Sequence, residues 1–256
     1  APHLTVLSRS GHADLVKSGE HMSSVKALLF DVFGTVVDWR TCITGAFDQI
    51  AKNHALDLEA SLLADEWRAQ YQPSMEVIRS GKRPFVRLDV LHRENLDHVL
   101  KNNKLTFFTP VERDHLVKAW HRLKGWPDAS DGLYRLKKKY IIAPQSNGNI
   151  SLLVNMAKAA NLPWDVVLGA EIVQTYKPRP EAYKRACDAL GLSTSDCMMV
   201  AAHNDDLLAA RNTGMKTAFI LRDTEHGPRQ TKDLKSESNW DISVDNFLEL
   251  ADKLGV

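Results

Sequence analysis

The apolar run Leu28-Leu29-Phe30 ends on a carboxylate, Asp31, and a Gly34-Thr35 turn follows at once. Residues 25–32 have the pattern of a strand buried on both faces, which is the signature of a parallel sheet. Ligands of such sheets bind at the carboxyl ends of the strands. Asp31 therefore stands where a nucleophilic carboxylate can meet a bound substrate. Aspartate also caps helices and turns after strands for purely local reasons. What favours chemistry is that other polar groups fall at the same edge.

Those groups follow from the order of elements. From 39 to about 123 no second strand of this kind occurs; helical periodicity covers 60–78, 87–101 and 111–123, with breaks at Gly81-Lys82-Arg83-Pro84 and a helix start at Thr109-Pro110. After Gly125-Trp126-Pro127 the pattern changes. Helix 131–138 leads to strand 140–144, helix 150–160, the apolar Val166-Val167-Leu168, helix 180–190, strand 197–201, helix 206–213, strand 217–221 and a last helix at 249–254. Strands and helices alternating on short links predict parallel strands with right-handed crossovers. The expected fold is α/β: a doubly wound parallel-sheet core, 23–38 and 129–256, with an all-helical cap domain inserted over 39–128. Such a cap excludes water from the carboxyl edge. Residues 1–22 are polar, without the charged start and apolar centre of a secretory signal, and are expected to be a disordered or extended tail.

Four separated pieces now come together: Phe30-Asp31-Val32-Phe33-Gly34-Thr35, Ser146-Asn147-Gly148, Tyr176-Lys177-Pro178 with Tyr183, and Ala201-Ala202-His203-Asn204-Asp205-Asp206. In this order and spacing the chain resembles the haloacid dehalogenase superfamily, and within it the type II 2-haloacid dehalogenase branch. The resemblance implies that Asp31 forms a covalent ester, Lys177 keeps it ionised, and Asp206 positions the hydrolytic water. It implies that Ser146, with Thr35 and main-chain amides after Asp31, holds the substrate carboxylate, that Asn147 and Arg68 receive the halide, and that Phe33 and Tyr183 border the substrate. His203 departs from the branch, which carries asparagine there; it either assists hydrolysis, since imidazole titrates near neutrality, or simply hydrogen-bonds in the cleft.

Phe33 decides between chemistries. Phosphatases of the superfamily usually have a second aspartate two residues after the nucleophile, to protonate the leaving alkoxide. A halide leaves without a proton, so an aromatic residue is no handicap. The phosphatases also ligate magnesium with two acidic residues four apart; counting back four from Asp206 reaches Ala202, which offers no ligand. Asp205 beside Asp206 leaves a magnesium-dependent phosphatase as the runner-up, and a noncatalytic binding module is a third reading. The expected activity is hydrolysis of small 2-haloalkanoic acids to 2-hydroxy acids, with no metal or organic cofactor and, by analogy with the branch, a homodimer.

Composition excludes other classes. Of 256 residues, 44% are hydrophobic and 25% charged, and the net charge of +1 gives no footing for nucleic acid or an anionic membrane. Lys137-Lys138-Lys139 ends a helix and complements its dipole. No apolar run approaches the roughly 20 residues that span a bilayer. Cys42, Cys187 and Cys197 are scattered, which fits a reducing, cytoplasmic setting.

Overall fold

The computed structural model of the chain describes residues 24–256, so the expected tail over 1–22 lies outside the described residues. Strands β1 (Ala27–Phe30), β2 (Ile141–Pro144), β3 (Cys197–Ala201), β4 (Lys216–Ile220) and β5 (Ile242–Val244) form one sheet in the order β2-β1-β3-β4-β5. Every pairing is parallel. The helices between strands are α6 (Ala129–Leu136), α7 (Ile150–Ala160), α8 (Ala170–Val173), α9 (Pro180–Ala189) and α10 (Asn204–Arg211), with α11 (Phe247–Lys253) at the end.

All four residues of β1 are fully buried, and their alternation divides the interior. Leu28 and Phe30 pack with Leu133 of α6, Leu152 and Met156 of α7, and Phe247 of α11. Ala27 and Leu29 face the opposite way, against Ala182 and Ala186 of α9 and Leu207 and Ala210 of α10. Helices on both faces of a parallel sheet are the doubly wound arrangement that the alternating pattern predicts. Edge strand β5 was not anticipated: three residues, Ile242-Ser243-Val244, carry too little periodicity to stand out from a loop.

Between β1 and β2 the chain forms α1 (Trp39–Asn53), α2 (Ala60–Ala69), α3 (Tyr71–Arg79), α4 (Leu88–Asn102) and α5 (Pro110–Ala119). Thr109 caps α5 in a capping box with Glu112, as its Thr-Pro start implies. The single helix expected over 60–78 is two helices meeting at Gln70. Pro73 explains the break. In a continuous helix its absent N–H would forfeit the bond to the Ala69 carbonyl and its ring would strike that group; in the first turn of α3 neither matters. Trp39, Phe47, Trp67 and Trp120 are buried in the same apolar cluster as Leu28 and Phe30, so these helices share a core with one face of the sheet. Among the described residues no helix is long and apolar enough to cross a membrane.

Strand register places the functional edge. Phe30 of β1 pairs with Pro144 of β2 on one side and Val200 of β3 on the other. Three loops therefore leave the sheet side by side: Asp31 onward, Gln145 onward and Ala202 onward. The Asp31 N–H still donates to the Val200 carbonyl and the Gln145 N–H to that of Phe30, at 3.0 and 2.7 Å, which fixes where each side chain emerges.

Candidate active site

Asp31 opens onto a cavity of about 650 Å³ whose wall also includes Arg68, Tyr71, Asn147, Lys177, Tyr183, His203 and Asp206. Its carboxylate is held by three donors. Lys177 Nζ reaches Oδ1 at 3.1 Å, while Thr35 Oγ1 and His203 Nδ1 reach Oδ2 at 2.7 and 3.0 Å. Thr35 in turn accepts the Ala202 N–H at 2.9 Å, so its hydroxyl hydrogen is committed to Asp31. Lys177 is shared: the same ammonium donates to Asp206 Oδ2 at 2.7 Å, and Tyr183 donates to Asp206 Oδ1 at 2.5 Å.

The two carboxylates are thereby made unlike. Burial alone would raise Asp31, but Lys177 and His203 outweigh it and hold the carboxyl far below its ordinary value. Asp206 is raised: burial dominates, and repulsion from Asp31 adds to it against the single counter-charge of Lys177. One group is a permanent anion and the other a proton acceptor in waiting, which is the pattern of a nucleophile beside a base. Burial works against the charge on Lys177, yet Asp206 and Asp31 together keep its pKa above the usual lysine value. His203 is likewise disfavoured as a cation by burial and nevertheless raised well above 6.5, by Glu225 and Asp31.

Each element presents its residue for a local reason. Lys177 follows β2 and α7 in sequence and is tied down at both ends of its own peptide unit. Its N–H donates to Asn147 Oδ1 at 2.8 Å, and its carbonyl accepts from Arg79 of α3 at 2.8 Å. Asp206 sits in the first turn of α10, where a carboxylate complements the helix dipole. Tyr183, on α9, is fully buried with its hydroxyl aimed at Asp206. Asp205 points outward, pairing loosely with Lys232 at 3.5 Å.

Arg68, on α2, is different in kind. Its guanidinium carbon lies 3.8 Å from the Tyr71 ring centroid and 5.3 to 5.8 Å from those of Phe33, Trp39 and Trp120. No carboxylate pairs with it among the described residues, and its buried Nη1 has no hydrogen-bond partner. A cation so placed, bordered by aromatic faces and with a donor unspent on the cavity, can receive an anion.

Three residues expected to touch substrate are placed behind the cavity wall. Thr35 is fully buried beneath Asp31 and serves the carboxylate itself. Phe33 is buried edge-on against Trp120 and backs Arg68. Ser146 Oγ accepts the Gly148 N–H at 3.0 Å, which leaves its hydroxyl hydrogen available. Sequence reasoning missed Glu225, Trp39 and Arg79. Glu225 lies in the loop after β4, outside every motif, and only its contact with His203 reveals it.

The site does not fit a magnesium ion. That ion wants a near-octahedral shell of free oxygens. Here every carboxylate oxygen of Asp31 and Asp206 already accepts from Lys177, His203, Thr35 or Tyr183, and Ala202 stands where a further acidic ligand would be needed. Among the described residues no group of three or more His, Cys, Asp or Glu is arranged to hold a metal.

A family model of haloacid dehalogenase-like hydrolases matches residues 25–214. The chain belongs to that family. The match spans the Asp31 loop and all of α10, and of the groups described above it leaves out Glu225 and Lys232. Among solved structures the hydrolase is similar to a defluorinating L-2-haloacid dehalogenase, at 53% identity and a TM-score of 0.89, over 91% of this chain and 96% of that one. It is similar also to a dehalogenase solved as an intermediate complex, at 26% identity and a TM-score of 0.75, over 91% and 98%. Among curated relatives, (S)-2-haloacid dehalogenase 4A of Burkholderia cepacia is 29% identical over 238 residues, covering 90% of this chain and 100% of that relative.

Proposed function

We propose that this hydrolase converts small (S)-2-halo carboxylic acids to 2-hydroxy acids through an ester on Asp31. The observation that carries the reading is the unpaired Arg68 guanidinium on the same cavity as an ionised Asp31. A carboxylate kept anionic is a nucleophile, and a cation with free donors receives the anion that leaves. No acid is required beside them, which suits Phe33. The names of the relatives supply the substrate class.

In the first step an Asp31 oxygen attacks C2 in line with the carbon–halogen bond, inverting that carbon, and the departing electron pair goes out as halide to Arg68. Asn147 spends its Oδ1 on the Lys177 N–H and has its Nδ2 left to add a second donor there. The substrate carboxylate takes the main-chain amides after Asp31, and Ser146 shapes the loop behind them by accepting the Gly148 N–H. In the second step Asp206 accepts a proton from water as the water oxygen adds to Cγ of Asp31. The tetrahedral carbon then expels the product oxygen, which takes that proton back. The similar dehalogenase solved as an intermediate complex supports a route through an intermediate.

The helices over 39–128 act as a cap on a core of 23–38 and 129–256, bringing Arg68 and Arg79 over the nucleophile. A homodimer in a cytoplasmic setting completes the reading, and sedimentation and cell fractionation test those two points. The test of function is release of halide and 2-hydroxy acid from (S)-2-chloropropionate, with fluoroacetate alongside because one similar structure is of a defluorinating enzyme. Asp31→Asn must abolish both products. Hydrolysis of an aryl phosphate without any halide release would overturn the assignment.

A further inference from the structure

Glu225 is only 2% exposed, yet it is a carboxylate in the loop after β4, far in sequence from the other site residues. Its Oε1 lies 2.7 Å from His203 Nε2, and its Oε2 accepts the Trp39 indole N–H at 2.9 Å. His226 adds a weaker contact at 3.6 Å. The loop is fastened on both sides. Arg222 donates to the Thr35 carbonyl and forms a two-pronged pair with Asp128, at 2.7 and 2.9 Å, while Asn204 binds Asp233, Lys235, Glu237 and Trp240. Gly34 makes the room. Its φ is +87°, and a Cβ there would stand 2.0 Å from Glu225 Oε2.

His203 therefore has a carboxylate oxygen at each ring nitrogen, Glu225 at Nε2 and Asp31 at Nδ1. A neutral imidazole would turn a lone pair toward one of them. Only the cation donates to both. The two oxygens of Asp31 then differ sharply: Oδ2 takes both His203 and Thr35, whereas Oδ1 takes Lys177 alone.

We propose that Asp31 attacks through Oδ1, and that Glu225 holds His203 as a charged donor which, together with Thr35, stabilises negative charge on Oδ2 during hydrolysis of the ester. The proposal rests on the dehalogenase reading above. As water adds to Cγ, the carbonyl electron pair moves onto Oδ2, and the water proton goes to Asp206. On collapse the pair returns, the bond to the product oxygen breaks, and that oxygen takes the proton. His203 gives up no proton in either direction. Glu225 acts only through His203, as a positioning residue.

The two steps make opposite demands on that cation. In attack on C2 the carboxylate loses charge, so a cation at Oδ2 binds the ground state at least as well as the transition state and gives no acceleration. In hydrolysis charge builds on Oδ2, and the same cation is an oxyanion donor, a class whose removal costs roughly 10²–10³ in rate.

Rapid-quench kinetics with (S)-2-chloropropionate separates the steps. Glu225→Gln keeps an oxygen acceptor for His203 and removes the charge; His203→Asn removes the cation and carries the same test should the first variant not fold. In both, first-turnover halide release should stay within about threefold of wild type. Formation of 2-hydroxy acid should fall roughly 10²-fold, and intact-mass spectrometry should find the ester on Asp31. In Glu225→Gln the hydrolytic phase alone should weaken as pH rises through neutrality, since the ester leaves Asp31 uncharged and His203 then faces no carboxylate counter-charge, with His226 beside it and Lys177 and Asp206 beyond. Halide and hydroxy acid slowing together, with no ester found, would overturn the proposal while leaving the dehalogenase assignment intact. A wild type that releases no halide would remove both.

Discussion

Replacing Lys177 by methionine should cost this hydrolase stability in a way that shrinks on acidification. The ammonium is 3.1 Å from one buried carboxylate and 2.7 Å from another, with side chains 8 to 12% exposed. At an effective dielectric of about 20 those contacts represent roughly 5–6 kcal/mol each in gross attraction. Most of that is offset by desolvation of three ions, and removing one partner of such a cluster typically costs about 3–5 kcal/mol. Without Lys177 the orphaned carboxyls escape by taking up a proton, Asp206 first, because burial and Asp31 already raise it. A carboxyl whose folded pKa lies above its unfolded one binds more protons when folded, so its contribution to stability falls as pH rises. The variant should then lie about 3–5 kcal/mol below wild type near pH 8. Acidification should narrow that gap by up to about 1.4 kcal/mol per pH unit, flattening below the folded-state pKa. Turnover should fall on the order of 10³-fold or more, since the base is protonated and the nucleophile disoriented. Denaturant unfolding at several pH values, with a halide assay at each, measures both. A variant as stable as wild type near pH 8, or a gap that widens on acidification, would refute the shared-ammonium account.

Arg68→Met should lower kcat/KM on the order of 10²-fold and weaken product inhibition by bromide, while unfolding stability moves by less than about 1 kcal/mol because no partner is orphaned; unchanged bromide inhibition would contradict its place as halide receptor. Thr35→Val deletes the hydroxyl donor to Asp31 and leaves the Ala202 N–H unsatisfied, so denaturant unfolding should register a loss of about 1–3 kcal/mol. Gly34→Ala must both adopt a positive φ and displace Glu225, and nuclear magnetic resonance of His203 should show its imidazole titrating at lower pH once that carboxylate is moved.

Much of the fold was legible because its signals are local and repeated. Residues 150–160 and 197–201 form the expected helix and strand with unchanged ends, and Thr109-Pro110 starts a helix as its capping chemistry dictates. The helix over 60–78 misled because apolar periodicity persists across Gln70 while Pro73 forbids the backbone from following it. At the site, Asp31, His203 and Asp206 were readable from motifs that follow strand ends in register, and Lys177 and Tyr183 from a Tyr-Lys-Pro motif that enters a helix. Glu225 was not, since nothing around Asp223-Thr224-Glu225-His226 distinguishes a buried carboxylate from a solvated loop. Its importance comes from Gly34, Trp39 and His203, three contacts made across the fold. The expectation that Arg68 receives an anion came from a motif in one helix, whereas its four aromatic neighbours come from several separate segments and only the packed structure assembles them.

The covalent role of Asp31 is tested most directly by one turnover in ¹⁸O water, with the peptide containing Asp31 and the released 2-hydroxy acid weighed separately. The account predicts heavy oxygen in the Asp31 carboxylate and an unlabelled product. A labelled first product with an unlabelled Asp31 would mean that water attacks C2 itself, and the ester does not exist.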